Sequence, residues 1–431
     1  MPKRIVILGA GFAGIQAAVE LDRAVGKSGD VEILLISDQN YFLFTPLLPQ
    51  IASSNIDPRH IAQAIRDLRG ARRFRFLRAT VRSVDLGRRE VNIDPGPSKQ
   101  LDGGSISYDY LIVATGSRTD YFGIPGAREN TFDFKSLEDA IVLRERVLDI
   151  CEHSDHTQDE ELRRRLLTFV VVGGGYTGIE LVTELHDLLF GYVAKRYRGI
   201  RAHEIRLIVV EAGADILRGV HPSLAEHSRK RLARKGIEVR TNSAAAHCMP
   251  GGIEIKGGQS ISAEIVVWTA GVRAHPLVES LPGPHDRIGR TVVNDNLQLE
   301  AHPEVFIAGD SAAATSAMDA PRVGPVAIEH GRIAALNIVH QLRDEPLESY
   351  RFASKGMLVS LGMNYAVVSV GGIRFSGYFA WLFWNVVHLY KLVGFKKQVQ
   401  VAVDWLLGAI FTRDAAIVRR PRNCPYCGID Q

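Results

Sequence analysis

Cysteine is scarce in this chain, four residues in 431, and so sparse a set cannot form the dense disulfide framework that holds small secreted domains together. Charge of one sign is missing too. Fifty-two Lys and Arg against 48 Asp and Glu leave a formal net charge of +4, too little to argue for a nucleic-acid partner. No low-complexity or collagen-like segment is present. No signal peptide is expected either, because Lys3 and Arg4 run straight into Ile5-Val6-Ile7-Leu8 and a glycine turn, so folding is expected to begin at the first residues, in a reducing cytosol. What is present is an ordinary globular composition, 46% hydrophobic and 23% charged, in a chain long enough for two or three domains at about 150 residues each.

Residues 4–14 read R-I-V-I-L-G-A-G-F-A-G. A continuous β-branched run bounded by glycine predicts a buried parallel strand, and the apolar spacing that follows predicts a helix. Between them Gly9 allows the tight turn, Gly11 lets the backbone approach a pyrophosphate, and Gly14 lets helix and strand pack closely. One such loop is a weak signal. The pattern recurs at 168–178, T-F-V-V-V-G-G-G-Y-T-G, with Gly173, Gly175 and Gly178 in the three places, so two dinucleotides are implied.

The strand after the second loop ends at Glu211, whose carboxylate can bond a ribose diol and would repel a 2′-phosphate; NADH is therefore expected over NADPH. The strand after the first loop ends at Ser37 and Asp38, where the acid comes one residue late. Two further segments bear on whether both sites take nicotinamide or one takes a flavin. Residues 108–117, Y-D-Y-L-I-V-A-T-G-S, end a strand in Ala114, Thr115 and Gly116, and 305–310, V-F-I-A-G-D, end another in Gly309 and Asp310. With these in order, the chain resembles the two-dinucleotide-binding flavoproteins, which implies an α/β fold of two Rossmann-type domains with FAD and NADH. The FAD domain would comprise 1–118 and 290–345, split by an NADH domain at 119–289 in which Gly271 closes a strand returning towards the flavin. Residues 346–431 would form a separate C-terminal piece, and the polar run 151–165 a solvated connection.

Disulfide chemistry at the flavin needs a close cysteine pair after the first domain's second strand, and 39–50, Q-N-Y-F-L-F-T-P-L-L-P-Q, has none. Persulfide chemistry needs two reactive thiols, for which only Cys151 and Cys248 stand in the body of the chain. What does match is the type II NADH dehydrogenase family, single-subunit NADH:quinone oxidoreductases that pump no protons. Residues 40–48, 166–181, 267–274, 302–310 and 371–384 are similar to its motifs. The resemblance implies that Thr45, Pro46 and Leu47 line the flavin, that Val81 meets its adenine end, that Ala327 and Ile328 approach the ring, and that Glu180 stands near flavin and nicotinamide. It departs from the family at 323–331, V-G-P-V-A-I-E-H-G, where Pro325 replaces a glutamine near the quinone. Proline offers no hydrogen-bond donor, so Glu329, four residues on along a helix, is the expected proton donor to quinone, with His330 beside it. Competing readings are an NADH-dependent reductase of a protein or sulfur acceptor, and an NADH-sensing flavoprotein without catalysis.

Residues 379–394 would span only ~24 Å as a helix, short of a ~30 Å hydrocarbon core. Asn385, His388 and Lys391 share one sector with Trp381 and Trp384, opposite an apolar side, which predicts a helix lying in a membrane interface with its indoles at headgroup depth. A second apolar helix follows at 399–411. From residue 380 onward seven Lys and Arg (391, 396, 397, 413, 419, 420, 422) face three Asp, a balance that favours anionic lipid. The expected partners are thus a membrane quinone, an anionic lipid surface and a second copy of the chain, with the protein peripheral on the cytoplasmic side of the cell membrane. Cys424 and Cys427 have the spacing of half a zinc site, and a dimer could pair the two halves.

Overall fold

The structure, a computed structural model, describes residues 2–26, 29–68, 73–94, 104–354 and 356–417. The Cys424–Cys427 knuckle lies outside them. The chain divides into two compact units, one of residues 1–43, 62–118 and 272–354, the other of 44–61, 119–271 and 355–431.

The first unit is built on a six-stranded sheet in the order Gln298–Leu299, His302–Ile307, Tyr110–Val113, Lys3–Leu8, Val31–Ser37, Arg75–Arg78. All neighbours run parallel except the first pair. Ile5 to Leu8 are fully buried, as expected of a central parallel strand covered on both faces. Helices Phe12–Val25 and Gly324–Leu342 approach so closely that a Cβ at Gly331 would strike the Ala13 carbonyl. Pro325 occupies the first turn of the second helix, where its missing N–H costs nothing.

The second unit repeats the plan with a five-stranded parallel sheet in the order Phe132–Asp133, Ile265–Trp268, Thr168–Val172, Arg206–Val210, Glu238–Arg240. Its C-terminal part is a three-stranded antiparallel sheet, Met357–Ser360, Ala366–Val370 and Ile373–Gly377, followed by helices Tyr378–Lys391 and Phe395–Ile410.

The division departs from the sequence-based one in three places. Residues 272–289 go with the first unit, because Ala274, Leu277, Val278 and Leu281 complete its core beside Val6 and Leu8. Residues 44–61 go with the second, where Ser53 Oγ donates to Glu184 at 2.6 Å and Trp405 Nε1 donates to Gln50 Oε1 at 2.7 Å. Residues 355–417 cluster with 119–271, to which Arg413 is tied by an ion pair with Glu184, both nearly buried at 7% and 5% exposure. The run 151–165 is largely exposed, as expected, but it is helical rather than irregular. Cys151 is a buried residue of helix Leu137–His156, and a second helix, Glu160–Leu166, follows it.

The C-terminal helices keep the expected apolar side outward but bury part of the polar sector. Trp384 and Asn385, from the polar sector of Tyr378–Lys391, are buried against the protein rather than set at headgroup depth. The apolar side faces out, with Phe379 77%, Tyr390 84% and Phe395 75% exposed, and Leu406, Leu407, Ile410 and Phe411 continue that surface. Among the described residues no helix is long and apolar enough to cross a membrane.

Candidate functional site

In the first unit the glycine loop takes the shape its sequence requires. Gly9 has φ +97°, and a Cβ there would run into the Ala114 carbonyl; one at Gly14 would strike the carbonyl of Gly9. A Cβ at Gly11 would meet nothing within 4 Å, so the space in front of the helix start is open to a ligand. Around that loop Asp310 Oδ2 accepts from Ser117 Oγ at 2.7 Å and Ser311 Oγ accepts from Gly116 N–H at 3.0 Å. Thr115 Oγ1 is buried without a partner. An open pyrophosphate cradle beside an orphaned hydroxyl and a carboxylate fits a bound dinucleotide with a polyol chain. Ser37 Oγ accepts from Gln39 N–H at 3.3 Å, while Asp38, just beyond the strand, is exposed. Val81 lies on the antiparallel strand Thr80–Asp85. Gly309 takes φ +69° at the start of a tight turn, and Ala327 and Ile328 follow in the first turns of Gly324–Leu342.

The structure sets Glu329 and His330 in different surroundings. Glu329 Oε1 is held by Arg332 at 2.8 Å, and the same guanidinium binds Glu348 at 2.6 Å, which gives that carboxylate another task. His330 turns inward, its ring edge-on to Tyr350 at 4.3 Å between centroids. Burial pushes its pKa down to about 4, so at neutral pH it has no proton to spare. One turn of helix puts neighbouring residues on different faces, and here the two faces are an ion-paired surface and a core.

The second unit carries the other loop. Gly173 has φ +111° and a Cβ there would lie 2.7 Å from Ala270 Cα, whereas the position at Gly175 is open; a Cβ at Gly178 would strike the carbonyl of Gly173. Glu211, at the end of the next strand, accepts Gly174 N–H at 2.7 Å and Gly213 N–H at 2.6 Å, and Arg218 Nη2 stands 3.5 Å from it. Gly271 takes the N–H of Asp120 on its carbonyl at 3.0 Å and lies under the Phe122 ring. Thr45, Pro46 and Leu47 form one 3-10 turn.

Glu180 stands in the second turn of helix Tyr176–Leu188. Its Oε1 accepts Ser360 N–H at 2.9 Å, and desolvation raises its pKa to about 8, against the lowering effect of that bond and of the Trp384 indole. A carboxyl held neutral near neutral pH is suited to giving a proton. Ser360, Trp384 and His388 were not singled out as site residues by sequence reasoning. The available signal was the i, i+4 pair Trp384 and His388 inside the polar sector of an otherwise apolar helix.

Thiol chemistry is poorly served among the described residues. Cys151 and Cys248 are both free and buried, and burial raises both thiols, Cys248 to about 11; a reactive thiolate needs the opposite.

The family model for pyridine nucleotide-disulphide oxidoreductases matches residues 3–331, and the one for the NDH2 C-terminal domain matches 354–414. The chain is 35% identical over 417 residues to the type II NADH:quinone oxidoreductase NdhA of Mycobacterium tuberculosis, covering 93% of this chain and 86% of that protein. To the Ndh enzyme of the same organism it is 33% identical over 423 residues, with coverage of 95% and 89%. NDH2 of Plasmodium falciparum, solved in complex with NADH, shares the fold at a TM-score of 0.87 and 19% identity, over 96% of this chain and all of the other. Two glycine cradles, a flavoprotein core matched almost from end to end and a matched C-terminal domain place the chain in the type II NADH:quinone oxidoreductase (NDH2) family.

Proposed function

We propose that Gly9, Gly11, Gly14, Ser37, Asp38, Thr115, Gly116 and Asp310 hold FAD, and that Gly173, Gly175, Gly178, Glu211 and Gly271 hold NADH. The chain is an FAD-dependent NADH dehydrogenase of type II whose electron acceptor is a quinone. When bound, FAD supplies the redox chemistry, taking hydride from NADH and passing electrons to quinone. The chain's own residues bind, orient and manage protons. Reduction of a quinone to a quinol consumes two protons. Glu180, with its pKa near 8, holds a proton at neutral pH and is the donor proposed here, in place of Glu329. Thr45, Pro46, Leu47, Val81, Ala327 and Ile328 are proposed flavin contacts.

The observation that carries the membrane part of this reading is the outward apolar side of the two C-terminal helices. Such a face, flanked by exposed Lys391 and Lys396, suits the surface of an anionic bilayer, where a long-chain quinone is dissolved. The charge is smaller than the sequence count suggests, because Arg413 is paired with Glu184; Lys397 keeps its charge while donating to the Arg59 carbonyl at 2.5 Å. Attachment to the cytoplasmic face, and assembly as a homodimer, belong to the same proposal.

The test is a two-step stopped-flow experiment. NADH reduces the holoenzyme on anionic vesicles, which is then mixed with menaquinone or ubiquinone analogues. Rapid reoxidation by at least one is expected; slow reoxidation by every quinone would favour an NADH sensor instead.

A further inference from the structure

Within the second unit, two residues that bear on the Glu180 carboxyl each carry a buried polar group without a partner. Ser360 gives Glu180 its backbone N–H at 2.9 Å, but Ser360 Oγ is buried with no hydrogen-bond partner. Trp384 Nε1 is in the same state, although the indole N–H acts on the Glu180 carboxyl as a stabilising group. The two residues are 3% and 2% exposed, so water at the surface does not serve them. The indole itself is well held. It stacks on His388 with centroids 3.9 Å apart, His388 Nδ1 sits 2.7 Å from the Trp384 carbonyl, and Phe44 closes on His388 at 6.2 Å.

A buried donor with no acceptor is costly and calls for an explanation. An acceptor whose strength changes with its charge supplies one. A neutral carboxylic acid is a weak acceptor for an indole N–H, whereas an ionised carboxylate is a strong one. We propose that Trp384, together with Ser360, is a positioning residue for Glu180: its N–H closes on the carboxylate when the proton leaves and relaxes when the proton returns. The helix Tyr378–Lys391, whose other side is the exposed apolar face, is thereby coupled to the protonation of the acid. This inference rests on the reading of Glu180 as proton donor.

The other ionisable groups around the carboxyl are few. Glu184 and Tyr176 share its helix one turn away on either side. Glu184 raises the Glu180 pKa and is itself paired with Arg413 and Ser53. Tyr176 is raised by burial and by Glu180. His388, on the facing helix, is pushed down to about 4 and stays neutral through the working range. Removing a donor to the ionised form raises a carboxyl's pKa, so loss of the Trp384 N–H moves the Glu180 titration to higher pH.

Trp384→Phe keeps the ring stack and deletes the N–H. Two quantities are read on the holoenzyme between about pH 6 and 10: quinone-dependent flavin reoxidation, and the carboxylic-acid infrared band that Glu180→Gln abolishes. In wild type both should fall through one midpoint; in Trp384→Phe both midpoints should rise together by about half a pH unit or more. Ser360→Ala keeps the backbone N–H to Glu180 and is the control that should move neither midpoint; should Trp384→Phe fail to fold, a pH-dependent shift of the indole N–H band in wild type, absent in Glu180→Gln, carries the test. An infrared midpoint unmoved in Trp384→Phe, or an indole band that ignores pH, overturns the inference while leaving Glu180 as donor. A band that shifts without the reoxidation limb keeps the positioning role and removes Glu180 from proton delivery. A reoxidation limb that persists in Glu180→Gln refutes the donor reading, and the functional coupling with it.

Discussion

Asp404 and His60 are 344 residues apart in sequence, yet Asp404 Oδ2 sits 2.5 Å from His60 Nδ1 and also accepts the Asp57 N–H at 3.2 Å. One carboxylate on helix Phe395–Ile410 thus clamps that helix to the segment that begins with the Thr45–Leu47 turn. Both side chains are 17% exposed, so the partners left behind would be poorly hydrated. Asp404→Ala should cost about 1–3 kcal/mol, seen as a lower unfolding midpoint in denaturant. Protease cleavage after Lys396 or Lys397 should rise in parallel. An unchanged midpoint would show the clamp to be decorative.

Nucleotide choice should follow Glu211. Its carboxylate is already oriented by the N–H groups of Gly174 and Gly213, and a 2′-phosphate beside it would be repelled. NADH should therefore exceed NADPH by at least about tenfold in kcat/KM, or about 1.4 kcal/mol. Glu211→Gln should narrow the gap. Arg218, 3.5 Å from Glu211, offers the opposite charge, so Arg218→Ala should widen it. Equal use of both nucleotides by wild type would refute the assignment.

Membrane attachment has to be tested by surface substitutions rather than by truncation. A chain ending near Ser376 would lose buried Trp384, Asn385 and Val401 and the Arg413–Glu184 pair, and is expected to unfold the second unit. Phe379→Glu with Leu406→Glu removes only outward apolar surface. The double variant should retain FAD and NADH oxidation with a water-soluble acceptor but leave anionic vesicles in a flotation assay. Activity with a long-chain quinone should drop with it.

Glu329→Gln should leave both half-reactions close to wild type, because that carboxylate is engaged by Arg332. The pair is partly exposed, which limits its stability contribution to about 1 kcal/mol or less. Slower reoxidation by quinone in this variant, at unchanged rate of flavin reduction, would return Glu329 to the proton path.

Local sequence determined what depends on local chemistry. A buried parallel strand, a glycine that must take positive φ and a glycine with no room for a Cβ are conditions a few adjacent residues satisfy or fail, so Gly9, Gly14, Gly173 and Gly178 could be read in advance, as could the strand ends at Glu211 and Asp310. The apolar character of the last helices was legible for the same reason, since a periodic pattern needs no partner to be seen. How closely the polar sector of Tyr378–Lys391 would be packed was not. Helical periodicity separates two faces without saying what the inner one meets, and only neighbours brought from elsewhere in the chain buried Trp384 and Asn385. Likewise Glu329 and His330 read as a pair because they are adjacent, while Arg332, Glu348 and Tyr350 sent them to different surroundings. Burial is the first cause of the shifts at Glu180 and His330, and burial is a property of neighbours brought from distant parts of the chain, which is why only the tertiary structure could set the direction of both.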